Sequence, residues 1–210
     1  MEKKLDISVI SPVFNELENL ETFVESVTAV MNSTNMSWEL IIVDDGSNDG
    51  SSKILKKIGH QENIRSILLS KNYGQTTAIQ AGFDNAVGEY FVTLDSDLQN
   101  DPKDIPMLIQ KLINEELDLV VGWRKDRKDN YFFRNLPSIL ANKLIGTITG
   151  VKLHDYGCSL KAYRAEVLKE VKLYGEMHRF IPAWMATKIP ASKISEIEVT
   201  HHPRIAGESK

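Results

Sequence analysis

The sequence has a single cysteine, Cys158, among its 210 residues. One cysteine cannot form an intramolecular disulfide and is too few for a cysteine-rich zinc site, which fits a reducing compartment such as the cytoplasm. Cys158 also has no histidine beside it in any recognisable nucleophile arrangement. We therefore expect it to be a buried packing residue.

Long apolar runs are also missing. No window approaches the roughly 18 to 20 consecutive apolar residues that span a bilayer. The first six residues run directly into a strand-like segment, without the apolar stretch and cleavage site of a signal peptide. We therefore expect a soluble or peripheral chain.

No sign of charge dominates. The 25 basic and 29 acidic residues give a net charge of -4, so composition gives no argument for nucleic acid as a partner, and any basic site must be local. Internal repeats and low-complexity tracts are absent. The 42% hydrophobic content is enough to bury a sizeable core in one domain.

Short β-branched runs alternate with longer helical patterns through the first 122 residues. This rhythm is typical of βαβ units around a mostly parallel sheet flanked by helices, so the predicted fold class is α/β. The predicted strands are short and rich in Ile, Val or Leu, as buried strands are. They are Ile7–Val13, Glu39–Asp44, Ile64–Leu69, Tyr90–Leu94, Leu117–Val121, Leu160–Tyr163 and Ile194–Val199.

Two helices have predicted starts. Asn15 is a plausible N-cap with Glu18 three residues later, and Asp101 with Pro102 forms a cap and first-turn proline. Apolar residues repeat at helical spacing after each start, which predicts core-facing stripes. The stripes are Leu20, Phe23, Val24, Val27 and Val30, and then Ile105, Leu108, Ile109, Leu112 and Ile113.

Polar residues follow three of the predicted strands. Ligands bind beyond the carboxyl ends of strands in an open α/β sheet, so these ends are candidate site positions. After the fourth strand, Asp95 and Asp97 are alternate residues that can point the same way and hold one Mg²⁺ or Mn²⁺ together with a diphosphate. The alternative is that the two aspartates only turn the chain and cap the next helix.

Six segments in a fixed order carry a family resemblance. They are 11–16, 43–50, 72–75, 94–99, 155–158 and 204–210. With these segments the sequence resembles the family 2 glycosyltransferases of GT-A (Rossmann-like) fold, and within them the polyprenyl-phosphate glycosyltransferases related to dolichol-phosphate mannose synthase. The resemblance spans nearly the whole chain and implies one catalytic domain, with a nucleotide-sugar half at 1–122 and an acceptor half at 123–210.

The resemblance implies a donor site. Asp44 is expected near the base, Glu16 near the ribose, and Arg204 with Lys210 in a mobile loop over the pyrophosphate. The alternative for that loop is a frayed C-terminal tail. Metal-proximal residues are Asp95, Asp97 and Gln99, and the nucleotide set is completed by Pro12, Val13, Phe14, Gln75 and Ser96.

The resemblance also implies an acceptor site. Arg124, Arg134 and Ser138 match positions that receive the lipid phosphate, and arginine binds phosphate oxygens bidentately. The alternative is a solvated loop around these arginines. A phosphate monoester is already largely ionised near neutral pH, since its second pKa is about 6, so we expect direct displacement with inversion and no strong base. Asp155 is therefore assigned to orienting the acceptor or metal, which makes Asp97, Asp155, Arg124 and Arg134 the predicted catalytic set.

The predicted activity is transfer of a hexose to polyprenyl (undecaprenyl or dolichyl) phosphate at the cytoplasmic face of a membrane, in cell-envelope glycan synthesis. UDP-glucose is the first choice of donor, followed by GDP-mannose or a UDP-linked amino sugar. Two alternatives stay open: a soluble saccharide acceptor, or a non-catalytic nucleotide-sugar-binding subunit. The number of copies in the assembly is also open.

Membrane contact has its own two interpretations. Many relatives continue into membrane helices after the 204–210 loop, so the first interpretation is a catalytic domain trimmed before them. The second is an untrimmed chain that contacts the membrane in a surface-lying mode through Phe132, Phe133 and the apolar pattern from Leu136 to Ile148, with core packing as the alternative for that pattern. Adjacent His201 and His202 point to opposite faces of a strand, so no metal role is expected for them.

Overall fold

The computed structural model describes residues 5–125, 146, 150–168 and 171–204. Seven strands form one sheet in this part of the chain, in the order β3-β2-β1-β4-β6-β5-β7. β6 runs antiparallel to its neighbours β4 and β5, and the other four pairings are parallel. The strands are β1 (Ile7–Val13), β2 (Trp38–Asp44), β3 (Ile64–Leu68), β4 (Tyr90–Thr93), β5 (Leu119–Trp123), β6 (Lys161–Arg164) and β7 (Ile194–Glu198).

Four longer helices connect the parallel strands. They are α1 (Leu17–Asn32), α2 (Ser51–Ile58), α3 (Gln75–Asn85) and α4 (Ile105–Asn114). Shorter turns of helix occupy Pro102–Asp104, Ala165–Leu168, Met177–Phe180, Ile181–Met185 and Ala191–Lys193. No helix in the described ranges is both long and apolar enough to cross a membrane.

The predicted strands are all present, and the bounds of β1 match the prediction. The largest shift is at β5, which begins at Leu119 and not at Leu117. Leu117 instead donates its N–H to the carbonyl of Leu112 and follows Glu116, whose φ is 51°. The residue therefore closes the end of α4 before the strand starts.

The predicted cap of α1 is wrong by one residue. Glu16 is the N-cap, and Asn15 has a φ of 56°. The Asn15 side chain accepts a hydrogen bond from the N–H of Asn48 at 2.9 Å and so braces the loop after β2. Asp101 does cap the turn before α4, accepting from the N–H of Lys103 at 3.0 Å.

Apolar side chains cover both faces of the sheet. Along β1, Val9 packs with α1 and α4, whereas Ile10 packs with α3 on the opposite face. The helical stripes supply most of the first layer as predicted, although Met31 takes the buried position expected for Val30, and Ile113 is exposed. The α/β prediction is confirmed, with helices on both sides of a mostly parallel sheet.

Strand direction decides where the candidate site lies. The parallel strands β1, β2 and β4 end at one edge of the sheet, and β5 ends there too because both β4 and β5 are antiparallel to β6. β6 begins at this edge with Lys161. The residues that follow β1, β2, β4 and β5 and the first residue of β6 are therefore brought together at this end of the sheet.

Candidate active site

Asp95 and Asp97 lie just beyond β4 in a tight turn. Leu98 has a φ of 61°, and the Asp97 carboxylate accepts the N–H of Gln99 at 3.1 Å. Asp95 accepts a hydrogen bond from the Gln75 side chain at 2.8 Å. Burial and, next, the negative charge of Asp97 raise the pKa of Asp95 to about 6.

The two carboxylates fit a divalent cation. The charge of Asp97 destabilises ionised Asp95, and a cation between the two carboxylates would remove this repulsion. The described residues contain no group of three or more His, Cys, Asp or Glu side chains that could hold a metal by themselves. A cation held by Asp95 and Asp97 would thus need further oxygen ligands from a bound molecule such as a diphosphate. Gln99 contacts Asp97 through its backbone, and its carbonyl accepts the N–H of His202.

The ends of β1 and β2 form a neighbouring acidic group. Asp44 is 1% exposed and accepts the N–H of Ser47 at 3.0 Å. Glu16 is 7% exposed and accepts hydrogen bonds from Asn19 and, at 2.6 Å, from Arg204. The strand register pairs Val13 with Asp44, so Asp44 and Glu16, which follows β1, lie at the same end of the sheet.

Arg204 therefore lies against the position predicted for the ribose. Its partner Glu16 is buried, and the side chain of Arg204 itself is mostly covered. Pro12 and Ser96 join the ends of β1 and β4, since the Ser96 hydroxyl donates to the Pro12 carbonyl at 3.3 Å. Val13 is fully buried and Phe14 half-buried in the same strand end.

Arg124 and Asp155 form a bidentate ion pair. Nε of Arg124 lies 2.7 Å from Oδ2 of Asp155, and Nη2 lies 3.1 Å from Oδ1. Burial alone would raise the pKa of Asp155, but its bonds to Arg124 outweigh this and hold it below its usual value. Arg124 is thus a fixed, mostly buried cation, whereas its neighbour Lys125 is exposed, as the solvated-loop interpretation expects.

Three predicted site residues, Arg134, Ser138 and Lys210, lie outside the described ranges. The predicted membrane-contact residues Phe132, Phe133 and the apolar pattern from Leu136 to Ile148 also lie outside them, apart from Gly146. Their predicted roles stay predictions.

The sequence reasoning missed Asp45. This buried carboxylate accepts the N–H groups of Tyr73 at 2.7 Å and Gly74 at 2.8 Å. It fixes the loop that delivers Gln75 to Asp95. The sequence shows Asp44 and Asp45 side by side at the end of β2. The structure shows that Asp45 holds the loop before α3, whereas Asp44 remains a candidate site residue.

Lys161 and His178 were missed as well. Lys161 is 3% exposed, and its amino group donates to the carbonyl of Cys158. Nδ1 of His178 lies 2.6 Å from the hydroxyl of Thr76, and burial lowers the pKa of His178 to about 4. A lysine inside a strand pattern gives no sign of burial, so the sequence offered no signal for it.

Cys158 and the histidine pair match their predictions in part. Cys158 is buried, and this burial raises its pKa to about 11, so it remains a neutral thiol. His202 lies 3.3 Å from Asp101, while His201 forms a β-bridge with Asn100. The two histidines therefore have separate surroundings.

Comparison with known proteins identifies the family. The model of "Glycosyl transferase family 2" matches residues 8–172. The chain belongs to glycosyl transferase family 2. The predicted family is confirmed.

Named relatives align over nearly all of the chain. The dodecaprenyl-phosphate galacturonate synthase of Rhizobium johnstonii is 55% identical over 210 residues, which are 99% of this chain and 62% of the relative. The undecaprenyl-phosphate 4-deoxy-4-formamido-L-arabinose transferase of Salmonella dublin is 40% identical over 206 residues, which are 97% of this chain and 62% of the relative. This family 2 chain thus spans less than two thirds of the length of these relatives.

Solved structures share the fold. Glucosyl-3-phosphoglycerate synthase from Mycobacterium tuberculosis, solved with Mn²⁺ and UDP-glucose, superposes with a TM-score of 0.72 at 19% identity and covers 95% of this chain and 72% of that one. Its complex with phosphoglyceric acid gives a TM-score of 0.73 at 19% identity, covering 95% and 73%. The GT-A fold is therefore confirmed.

Proposed function

We propose that this chain is the catalytic part of an inverting, metal-dependent glycosyltransferase that moves a sugar from a nucleotide diphosphate to polyprenyl phosphate. The observation that carries the proposal is the meeting of two groups at one sheet edge. Asp95 and Asp97 form an acidic pair, and Arg124 is a fixed cation held by Asp155. The acidic pair suits a metal-bound donor diphosphate, and the cation suits an acceptor phosphate.

The acceptor class is supported by the names of the relatives. Both describe sugars carried on a polyprenyl phosphate, dodecaprenyl in one and undecaprenyl in the other. Such an acceptor is a membrane lipid, so we propose that the chain works at a membrane surface, on its cytoplasmic side. A soluble saccharide acceptor has no phosphate for Arg124 to bind.

The donor is proposed to carry a uronic acid. UDP-glucose was the first choice from the sequence, but the relative at 55% identity is named for galacturonate. We therefore propose UDP-galacturonate as the donor, with UDP-glucose as the alternative. The relative at 40% identity is named for a formamido-arabinose, so the sugar differs among similar chains.

A divalent cation, Mg²⁺ or Mn²⁺, would be held by Asp95 and Asp97. When bound, it supplies positive charge that stabilises the departing diphosphate. Gln75 orients Asp95 through its 2.8 Å hydrogen bond, and Asp45 orients Gln75 through the loop before α3. The structure of the Mycobacterium tuberculosis enzyme with Mn²⁺ supports a metal in this fold.

Arg124 and Asp155 would place the acceptor for attack. An oxygen of the ionised lipid phosphate forms the bond to the anomeric carbon while the bond to the nucleoside diphosphate breaks, which inverts that carbon. No proton has to be removed, since the phosphate is already ionised. Asp155 is a poor base because its pKa is lowered, which supports an orienting role for it.

A transfer assay tests the proposal. The chain would be incubated with Mn²⁺, UDP-galacturonate and detergent-solubilised undecaprenyl phosphate, and the lipid product would be measured by mass spectrometry. We expect a lipid-linked uronate and stoichiometric UDP. Transfer to a soluble saccharide with no lipid product would favour the soluble-acceptor alternative, and tight donor binding without turnover would favour a non-catalytic subunit.

A further inference from the structure

Lys161 is a buried lysine that forms no salt bridge with any described residue. It begins β6 and lies opposite Thr93 of β4 and Val121 of β5. Directly opposed residues in antiparallel strands point to the same face, so its side chain lies on the face of the sheet that α3 covers. Buried lysines are rare unless they are paired, which makes this position unusual.

The amino group has unused hydrogen-bonding capacity. An ammonium has three N–H donors, and the described part of the chain accepts one of them, through the Cys158 carbonyl. Burial lowers the pKa of Lys161 and outweighs the opposing interactions with Cys158, Asp155 and Asp95. A bound anion would offset this burial cost.

Two further polar groups come from elements on this face of the sheet. Nδ1 of His178 lies 2.6 Å from the hydroxyl of Thr76, and α3, which carries Thr76, packs on the face to which Lys161 points. Thr76 directly follows Gln75, whose side chain reaches Asp95. Lys161, His178 and Thr76 are here called the Lys161 cluster. It lies next to the metal-proximal aspartate.

The other anions of the proposed reaction already have partners. The diphosphate is assigned to the cation at Asp95 and Asp97, and the acceptor phosphate to Arg124. The sugar is bonded to the diphosphate, so it must lie close to Asp95 as well. A further negative charge at the Lys161 cluster would therefore belong to the sugar.

We propose that Lys161 is a specificity-determining residue that binds the carboxylate of a hexuronic acid donor, with His178 and Thr76 lining the same subsite. This inference rests on the proposed function. The carboxylate would accept hydrogen bonds from the ammonium and neutralise it. A sugar with a hydroxymethyl group at that carbon would leave the buried ammonium without an anion, which disfavours its binding.

UDP-galacturonate and UDP-galactose test the inference because they differ only in the carboxylate. With Mn²⁺ and undecaprenyl phosphate, we expect wild-type kcat/KM to favour the uronate by about 100-fold or more, as sites built around a charged or hydrogen-bonded group do. Lys161→Met should lower this ratio to below about tenfold, and Lys161→Arg should keep more of it by keeping the charge. Lys125→Met removes the same charge at an exposed position and should leave the ratio at its wild-type value.

Each outcome separates the two proposals. Thermal shifts of the wild type with each UDP-sugar measure the preference without the lipid and without any variant. Equal stabilisation by both donors, or equal loss of both activities in Lys161→Met, would overturn the inference while transfer to lipid remained. A wild type that makes no lipid-linked sugar from either donor would instead overturn the proposed function.

Discussion

Arg204 and Glu16 are 188 residues apart in the chain, yet Nη2 of the arginine lies 2.6 Å from Oε1 of the glutamate. Both residues are expected to contact the donor, Glu16 at the ribose and Arg204 at the diphosphate. A ribose hydroxyl that donates to Glu16 would compete with Arg204 for the same oxygen. Donor binding would then exchange the partner of Arg204 from a carboxylate to a phosphate.

Glu16→Gln tests this exchange. The amide keeps the shape of the side chain but loses its charge, so it would accept more weakly from ribose hydroxyls and no longer form an ion pair. We expect the Kd for UDP, measured by calorimetry with Mn²⁺, to rise about tenfold. Glu18→Gln makes the same change at an exposed position of the first turn of α1 and should bind UDP as the wild type does. Equal affinity in the two variants would remove Glu16 from the donor site.

The sequence predicted the strands because short runs rich in Ile, Val or Leu alternate with longer helical patterns, which is typical of buried strands in βαβ units. It placed the first helix cap at Asn15, but the left-handed conformation there depends on a contact with Asn48, which no local pattern contains. The family motifs located Arg124 and Asp155, yet their pairing across 31 residues follows from sheet order. Lys161 could not be found, because burial of a lysine is decided by which strands flank it.

Asp97→Asn tests the metal. The amide removes one negative charge from the pair and weakens a hard-cation site. We expect the Mn²⁺ concentration for half-maximal transfer to rise at least tenfold and kcat to fall about 100-fold. Asp84→Asn, at an exposed position of α3, is the matched control. Full activity of Asp97→Asn with chelator present would contradict a metal-dependent reaction.

Asp95→Asn tests the electrostatic repulsion between Asp95 and Asp97. The folded pKa of Asp95, about 6, lies above the usual value near 4, so the folded state binds the proton more tightly than the unfolded state does. Ionisation of Asp95 therefore destabilises the metal-free fold as pH rises from about 4 to 6, by about 3 kcal/mol. The asparagine can still accept the hydrogen bond of Gln75.

We expect metal-free Asp95→Asn to unfold at higher denaturant concentration than the wild type at pH 7, with the difference shrinking toward pH 4. Saturating Mn²⁺ should reverse the order at pH 7, because only the wild type gains the full stabilisation of a bound cation. A variant that is less stable than the wild type at pH 7 without metal would show that Asp95 is already compensated by its surroundings.

Asp155→Asn separates an orienting role from a proton-accepting one. A general base would impose an acidic limb on the pH dependence of kcat at its own pKa, and its amide variant would lose nearly all turnover at every pH. Because Arg124 holds the pKa of Asp155 below its usual value, we expect no such limb from this residue between pH 5 and 8. The amide keeps one acceptor oxygen but no charge, so Arg124 would be held less firmly.

The expected result for Asp155→Asn is a KM for undecaprenyl phosphate about tenfold higher, with a smaller fall in kcat and a pH profile of unchanged shape. Asp118→Asn, which weakens the ion pair with Arg164 at the start of β5, serves as the matched control for loss of a strand-end ion pair. Loss of turnover together with loss of an acidic limb would assign Asp155 as the base.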